Sequence, residues 1–508
     1  MRKAFIHANI YKRDEDAFLI EDTMIQCISS TEDILKQVRE EDEIIDLNGM
    51  FVLPGFIDSH MHLLELGFYL SCVQLATCTS LEDMKTKLSQ KCKEIKDDEW
   101  VIARGYNEEN FISEKEKPTR EFLDSISKDI PICVTRACGH SMSCNTKALE
   151  LSGIEFDSDM NGIVEELDIN LVHEAWPKPN EDTLKEYIQK GIACANQFGV
   201  TTVGSDDFLS VTEHYENVLN VFEQLSYQQK MNLRVNEQCE FSTIEDFAKF
   251  LDEGYTFDVG NDFFRIGPLK LIADGSLGAR SASMCQPYHD DSNNTGIMNY
   301  TVEEMQEYIS LANQYNMPTI AHCIGDKAVD DVLTALQDHV YEGNPLHHGL
   351  VHCQILRKDQ IQQIIDQKLS CYFQSIFIKE DAKILEERVG KELSQTSYPY
   401  KTLFENTLAS NGSDAPVEIP NALYGIELAV TREGMNQDEC LTIDQAISSY
   451  TEKGAEQLFM NDRIGSIKEG YYADLVVLDK DITMIPTNEV HTTKVMMTIM
   501  NGEVVFER

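Results

Sequence analysis

From residue 56 to residue 460 the chain alternates short apolar runs with helical stretches, and that rhythm limits it to folds built on a mostly parallel sheet. Candidate strands lie at 56–62, 201–205, 233–237, 266–273, 318–322, 350–353, 369–374 and 408–414, with helical patterns such as 302–315, 327–340, 358–367 and 443–458 between them. Eight strands alternating with helices predict an α/β fold, a (β/α)8 TIM-like barrel. One gap is too long for a single crossover. Residues 65–179, which hold both tryptophans and a Pro118-Thr119 helix start, are expected to form an inserted lobe after the first strand.

The two ends of the chain read alike and unlike the middle. Strand-like runs at 3–9, 18–28 and 43–47 are matched by runs at 473–478 and 495–506, the last carrying an Asn501-Gly502 hairpin signal. Segments 1–57 and 461–508 are therefore expected to pair into one discontinuous β-sandwich, leaving 58–64 plus 180–460 for the catalytic barrel.

Composition narrows the partners. Lys and Arg number 43 against 87 Asp and Glu, a formal net charge of −44 at pH 7. A field of that sign repels phosphate backbones and anionic head groups, so neither nucleic acid nor membrane is an expected partner. No apolar run has the length of a signal peptide or a membrane span, and the 14 cysteines form no CxxC pair. Reduced thiols and a cytoplasmic location are expected. Cys133, Cys138 and Cys144 lie close together, but their spacing matches no zinc pattern.

The densest chemical signal is Pro54 to His62, PGFIDSHMH. Alternate side chains on a strand point the same way, so His60 and His62 share one face and Ser59 and Met61 the other. Two imidazoles a pleat apart can bind one divalent ion, and imidazole suits Zn, Fe, Ni or Mn. The plain alternative is two hydrogen-bonded histidines in a turn. Lys270, His322, His352 and Asp414 each lie toward the end of a different candidate strand. Taken singly they read as a surface Lys, two core histidines and an Asp helix cap. In a barrel, however, C-terminal strand ends converge on one mouth, and six such residues in register predict one cluster. Cys323 and Cys353 directly follow the later histidines and should face the helices instead.

The order HxH, Lys, His, His, Asp resembles the amidohydrolase superfamily. The flanking words KLIADGSLGARSA from Lys270, HCIGDKAV from His322, His352-Cys353-Gln354, GSDAPV from Gly412 and GSIKEGYYADL from Gly465 resemble amidohydrolase family 3, the branch containing N-substituted formamide deformylase. Gly139-His140 with Asn145 to Leu149 is a further match inside the lobe. The resemblance implies one or two divalent ions, Zn first and Mn, Ni or Fe as alternatives. His60, His62 and Asp414 would hold one ion and His322 and His352 the other, bridged by Lys270 as a carbamate formed with CO2. It also implies an amidase acting on a C–N bond, linear or cyclic, other than a peptide bond. By the same resemblance, hydroxide supplied at the ions would attack the carbonyl of a small-molecule amide, with Asp414 taking the proton and returning it to the leaving nitrogen. His140, Arg136, Arg280 and Gln374 are candidate substrate contacts, with surface or structural roles as the alternative. A homo-oligomer is left open.

Three rivals remain. Deaminases on this barrel place a Glu three residues after the fifth-strand histidine, where this chain has Gly325 followed by Asp326. A phosphoester hydrolase could use the same ions, and a non-catalytic binding protein could keep the barrel without the chemistry.

Overall fold

The computed structural model describes residues 2–95, 99–112, 115–137, 139, 141–157, 160–165 and 168–508. They form two compact units, Met1–Glu65 with Gly191–Arg508, and Leu66–Lys190. The second boundary falls inside the helix Glu181–Gln197.

The first unit holds an eight-stranded sheet whose strands follow one another in chain order. They are β1 (Phe56–Met61), β2 (Val200–Ser205), β3 (Arg234–Cys239), β4 (Phe264–Ile272), β5 (Thr319–Cys323), β6 (Gly349–His352), β7 (Ser370–Phe373) and β8 (Ala409–Asn411). Every ladder is parallel. These are the eight candidate strands, and the fold is a nearly closed (β/α)8 barrel. Just past β8, Asp414 N donates to the His60 carbonyl at 2.8 Å, and His62 N donates to that of Ala415 at 2.7 Å. Gly412 permits this approach, because a Cβ there would stand 2.6 Å from His60 N. Buried Asp58 adds a strap, its Oδ1 accepting from Ser413 N at 2.9 Å.

Segments from both chain ends build two further sheets. One orders Met24–Ser29, Ala17–Glu21, Arg2–Ile6 and Glu43–Asp46; the other orders Asn9–Ile10, Phe51–Pro54, Leu475–Leu478, Val495–Met500 and Glu503–Glu507. Phe51–Pro54 pairs antiparallel with Leu475–Leu478, joining opposite ends of the chain. The sheets share a buried core that includes Phe5, Phe18, Val52, Leu475, Val477 and Ile499. Each such side chain contributes about 1.5–3 kcal/mol by leaving water. Asn501 and Gly502 turn the last hairpin at φ 55° and 79°, as a type I′ turn requires.

Three elements differ from the sequence reading. The run 18–28 is a hairpin, because Asp22 at φ 54° reverses the chain. The helix at 443–458 is two helices, Ile443–Ser449 and Glu452–Gln457, broken where Thr451 takes φ −136°, ψ −93°. Phe51–Pro54 is a strand in its own right.

The second unit carries a five-stranded sheet of Val73–Gln74, Val101–Tyr106, Ile132–Arg136, Ser141–Cys144 and Ile163–Glu165. Thr119 caps the helix Arg120–Asp124, accepting from Phe122 N. Cys133 sits opposite Cys144 in the ladder, and both pack in an apolar core with Trp100 and Met142. Cys138 lies outside the described residues. Among the described residues no helix is long and apolar enough to cross a membrane.

Candidate metal centre at the barrel mouth

The C-terminal ends of β1, β4, β5, β6 and β8 bring His60, His62, Lys270, His322, His352 and Asp414 together. His60 Nε2 and His62 Nε2 lie 3.4 and 3.2 Å from Asp414 Oδ1. The ligand atoms of these three residues lie within 4.8 Å of one another. A tetrahedral ion with bonds of about 2.0–2.1 Å holds its ligands about 3.3 Å apart. The Nδ1 atoms are already engaged, His60 with Gln238 Oε1 at 2.6 Å and His62 with the Asp206 carbonyl at 2.7 Å. Both Nε2 atoms are therefore directed at the space beside Asp414. The donor set fits a divalent ion.

His322 and His352 form the other half. His352 Nε2 lies 2.8 Å from His322 Nδ1, and the rings are 4.3 Å apart. The His322 Nε2–H donates to the Gly275 carbonyl at 3.1 Å, which leaves its Nδ1 as a lone pair. Burial and the Lys270 charge lower the His322 pKa to about 4, and burial with His322 beside it lowers His352 well below the usual imidazole range. Both rings are thus neutral, the form that ligates. The 2.8 Å separation is tighter than two ligands of one ion keep, so ligation requires the rings to part slightly. His352 and Asp414 also hold φ of 79° and 57°, a strained region for non-glycine residues that often marks functional sites.

Burial alone would raise the Asp414 carboxyl, but His60 and His62 outweigh it and hold the group well below the usual carboxylate range. It is a carboxylate at neutral pH. Lys270 is buried, with Nζ 3.3 Å from His60 Nε2 and 3.0 Å from Asp206 Oδ2. The acid that pairs with Lys270 is Asp206 and not Asp274, which lies just past the end of β4. Asp274 instead accepts backbone N–H bonds from Ser283, Ile324 and Gly325 at 2.8–3.0 Å.

Of the candidate substrate contacts, Arg280 and Gln374 lie in the same unit as this cluster. Arg280 is paired with Asp290 at 2.8 Å, and Arg388 binds the same carboxylate. Gln374 is fully buried, and neither amide atom has a hydrogen-bond partner among the described residues. Arg136 lies in the second unit, where it pairs with Glu108 at 2.9 Å. His140 lies outside the described residues. Sequence reasoning missed Asp206 and Gln238. For Asp206 there was a signal, the paired carboxylates Asp206-Asp207 directly after the second strand; for Gln238 there was none.

Residues 43–506 match the amidohydrolase family (Amidohydro_3). The chain is 29% identical over 532 residues to "Putative amidohydrolase YtcJ" of Bacillus subtilis (strain 168), covering 99% of this chain and 98% of that one. It is 23% identical over 540 residues to N-substituted formamide deformylase of Arthrobacter pascens, with the same coverage. The crystal structure of an uncharacterized metal-dependent hydrolase from Pyrococcus furiosus superposes with a TM-score of 0.81 at 27% identity, covering 95% of this chain and all of that one. With the family matched over most of its length and a His–His–Asp cluster at the barrel mouth, the chain belongs to the amidohydrolase family and is a metal-dependent hydrolase.

Proposed function

We propose that this hydrolase cleaves a C–N bond of amide type, linear or cyclic, in a small molecule. The observation that carries the reading is the Asp414 carboxylate, held ionised beside the two Nε2 atoms of His60 and His62. A divalent ion bound there, zinc as first choice, would acidify water and polarise a substrate carbonyl. Asp414 takes the proton from the attacking water. It then delivers that proton to the leaving nitrogen, which cannot depart as an amide anion. His322 and His352, neutral and buried, would hold a second ion. Lys270 as a carbamate would offer an oxygen to each, which requires its ion pair with Asp206 to open. Similarity to a formamide deformylase supports an amide substrate.

Deamination fits less well. Gly325 has no side chain to offer, and Asp326 is buried, accepting from Cys285 N at 2.9 Å and pairing with Arg357 at 3.1 Å. Neither can protonate a ring nitrogen.

Purified protein, with its metal content measured, should be screened against N-formyl, N-acyl and cyclic amides for release of amine and acid. Metal-dependent release is expected. Full turnover in metal-free protein would end the mechanism, and turnover confined to aminated heterocycles would replace it with deamination.

A further inference from the structure

The His60 ring is anchored from behind by a residue outside the proposed ligand set. Gln238 is fully buried at the end of β3. Its Nε2 donates to the Ser59 carbonyl at 2.9 Å, and its Oε1 lies 2.6 Å from His60 Nδ1. An amide can be turned end for end, but a carbonyl only accepts. The amino end must therefore face Ser59, and the oxygen must face the ring. An oxygen against Nδ1 requires the imidazole proton to sit there, which leaves the lone pair on Nε2, the nitrogen facing Asp414. Gly204 on β2 makes room for this clamp. A Cβ there would stand 2.5 Å from Ser59 O and 2.6 Å from Gln238 Nε2.

We propose that Gln238, seated over Gly204, is a positioning residue that sets the ligating tautomer and the ring direction of His60. The inference rests on the reading of His60, His62 and Asp414 as a metal centre. Partners behind a ligating histidine typically change metal affinity by about 10–100-fold when removed.

The test is a zinc titration of metal-stripped full-length protein against a chromophoric chelator, with thermal unfolding of the apoprotein as the folding control. Gln238→Met removes the acceptor at similar length and should weaken zinc binding by about 10–100-fold. Gln238→Glu keeps an oxygen on the Nδ1–H but gives up the amide donor to the Ser59 carbonyl, so it should bind zinc more weakly than wild type and more tightly than Gln238→Met. If Gln238→Met does not fold, Gly204→Ala, which displaces the same amide, is read by the same standard. Wild-type affinity in Gln238→Met would overturn the proposal. Equal weakness in Gln238→Glu would also overturn it, because packing rather than the acceptor would then be the cause. His62→Ala separates the two layers. If zinc binding is unchanged in His62→Ala, the metal centre itself is wrong; if only Gln238→Met is silent, the clamp alone is wrong.

Discussion

Burial alone would lower the His62 imidazole, but Asp414 at 3.2 Å, helped by Asp206, outweighs it and raises the pKa to about 10. The free protein therefore carries a proton on His62 Nε2 throughout the neutral range, at the atom an ion would occupy. Loading must release it. Because the free state binds that proton below pH 10 and the loaded state does not, apparent metal affinity should rise with pH, by about tenfold per unit while this proton alone is displaced. Zinc titrations at two pH values, in buffers of different ionisation enthalpy, measure both the slope and the proton. A flat profile would mean that the His62–Asp414 pair is not where the ion binds. Lys270→Ala should lose much of the metal and most of the rate, and a short carboxylic acid should partly restore both by filling the vacated space. Near-normal metal content and turnover in that variant would leave a site with no lysine bridge. The six ligand-type residues were legible in the sequence because a strand end is a local property, visible in each segment by itself. Asp206 was marked only by the acidic pair it forms with Asp207, and Gln238 by nothing, because their roles arise from which strands lie side by side. Gln238 on β3 acts on the carbonyl and the ring of β1 across Gly204 of β2, and no single segment shows that relation.

The strands that join the chain ends make a prediction at the scale of elements. Removing the last 40 or so residues takes away Leu475–Leu478 and the final hairpin, leaving Phe51–Pro54 with an open edge and the shared core half uncovered. That variant should aggregate, as exposed apolar edges do. A soluble, cooperatively unfolding and active product in light scattering and calorimetry would contradict it. Arg234, opening β3, forms a buried two-point pair with Asp474 at 2.7 and 3.2 Å, and Asp474 also accepts from Asn501 N. Asp474→Ala strands the guanidinium in a site that excludes water, and should cost about 3–5 kcal/mol in chemical denaturation. The barrel strands were readable because each is a short apolar run followed by a helix. The hairpin at 17–29 was not, because its reversal at Asp22 interrupts an apolar run without a Gly or Pro to mark it. Phe51–Pro54 was obscured because it abuts β1 across a single residue yet belongs to another sheet.

At the scale of the molecule, a formal charge of −44 sets the field that an approaching substrate meets. For an anionic amide, kcat/KM should increase with ionic strength as screening shortens the reach of that field, whereas a neutral amide should show little change. Identical salt profiles for the two would show that the mouth is shielded from the surface charge. The seam between β1 and β8 has a consequence in time as well as in space. His62 and Asp414 stand 352 residues apart in sequence, and the seam between them closes through backbone bonds at the ligands themselves. On the ribosome, the two histidines emerge early and wait for a carboxylate that arrives only after the seventh strand has been made. A nascent chain short of Asp414 lacks the carboxylate of the His–His–Asp set, so stable zinc retention should begin only with chains that extend beyond the eighth strand.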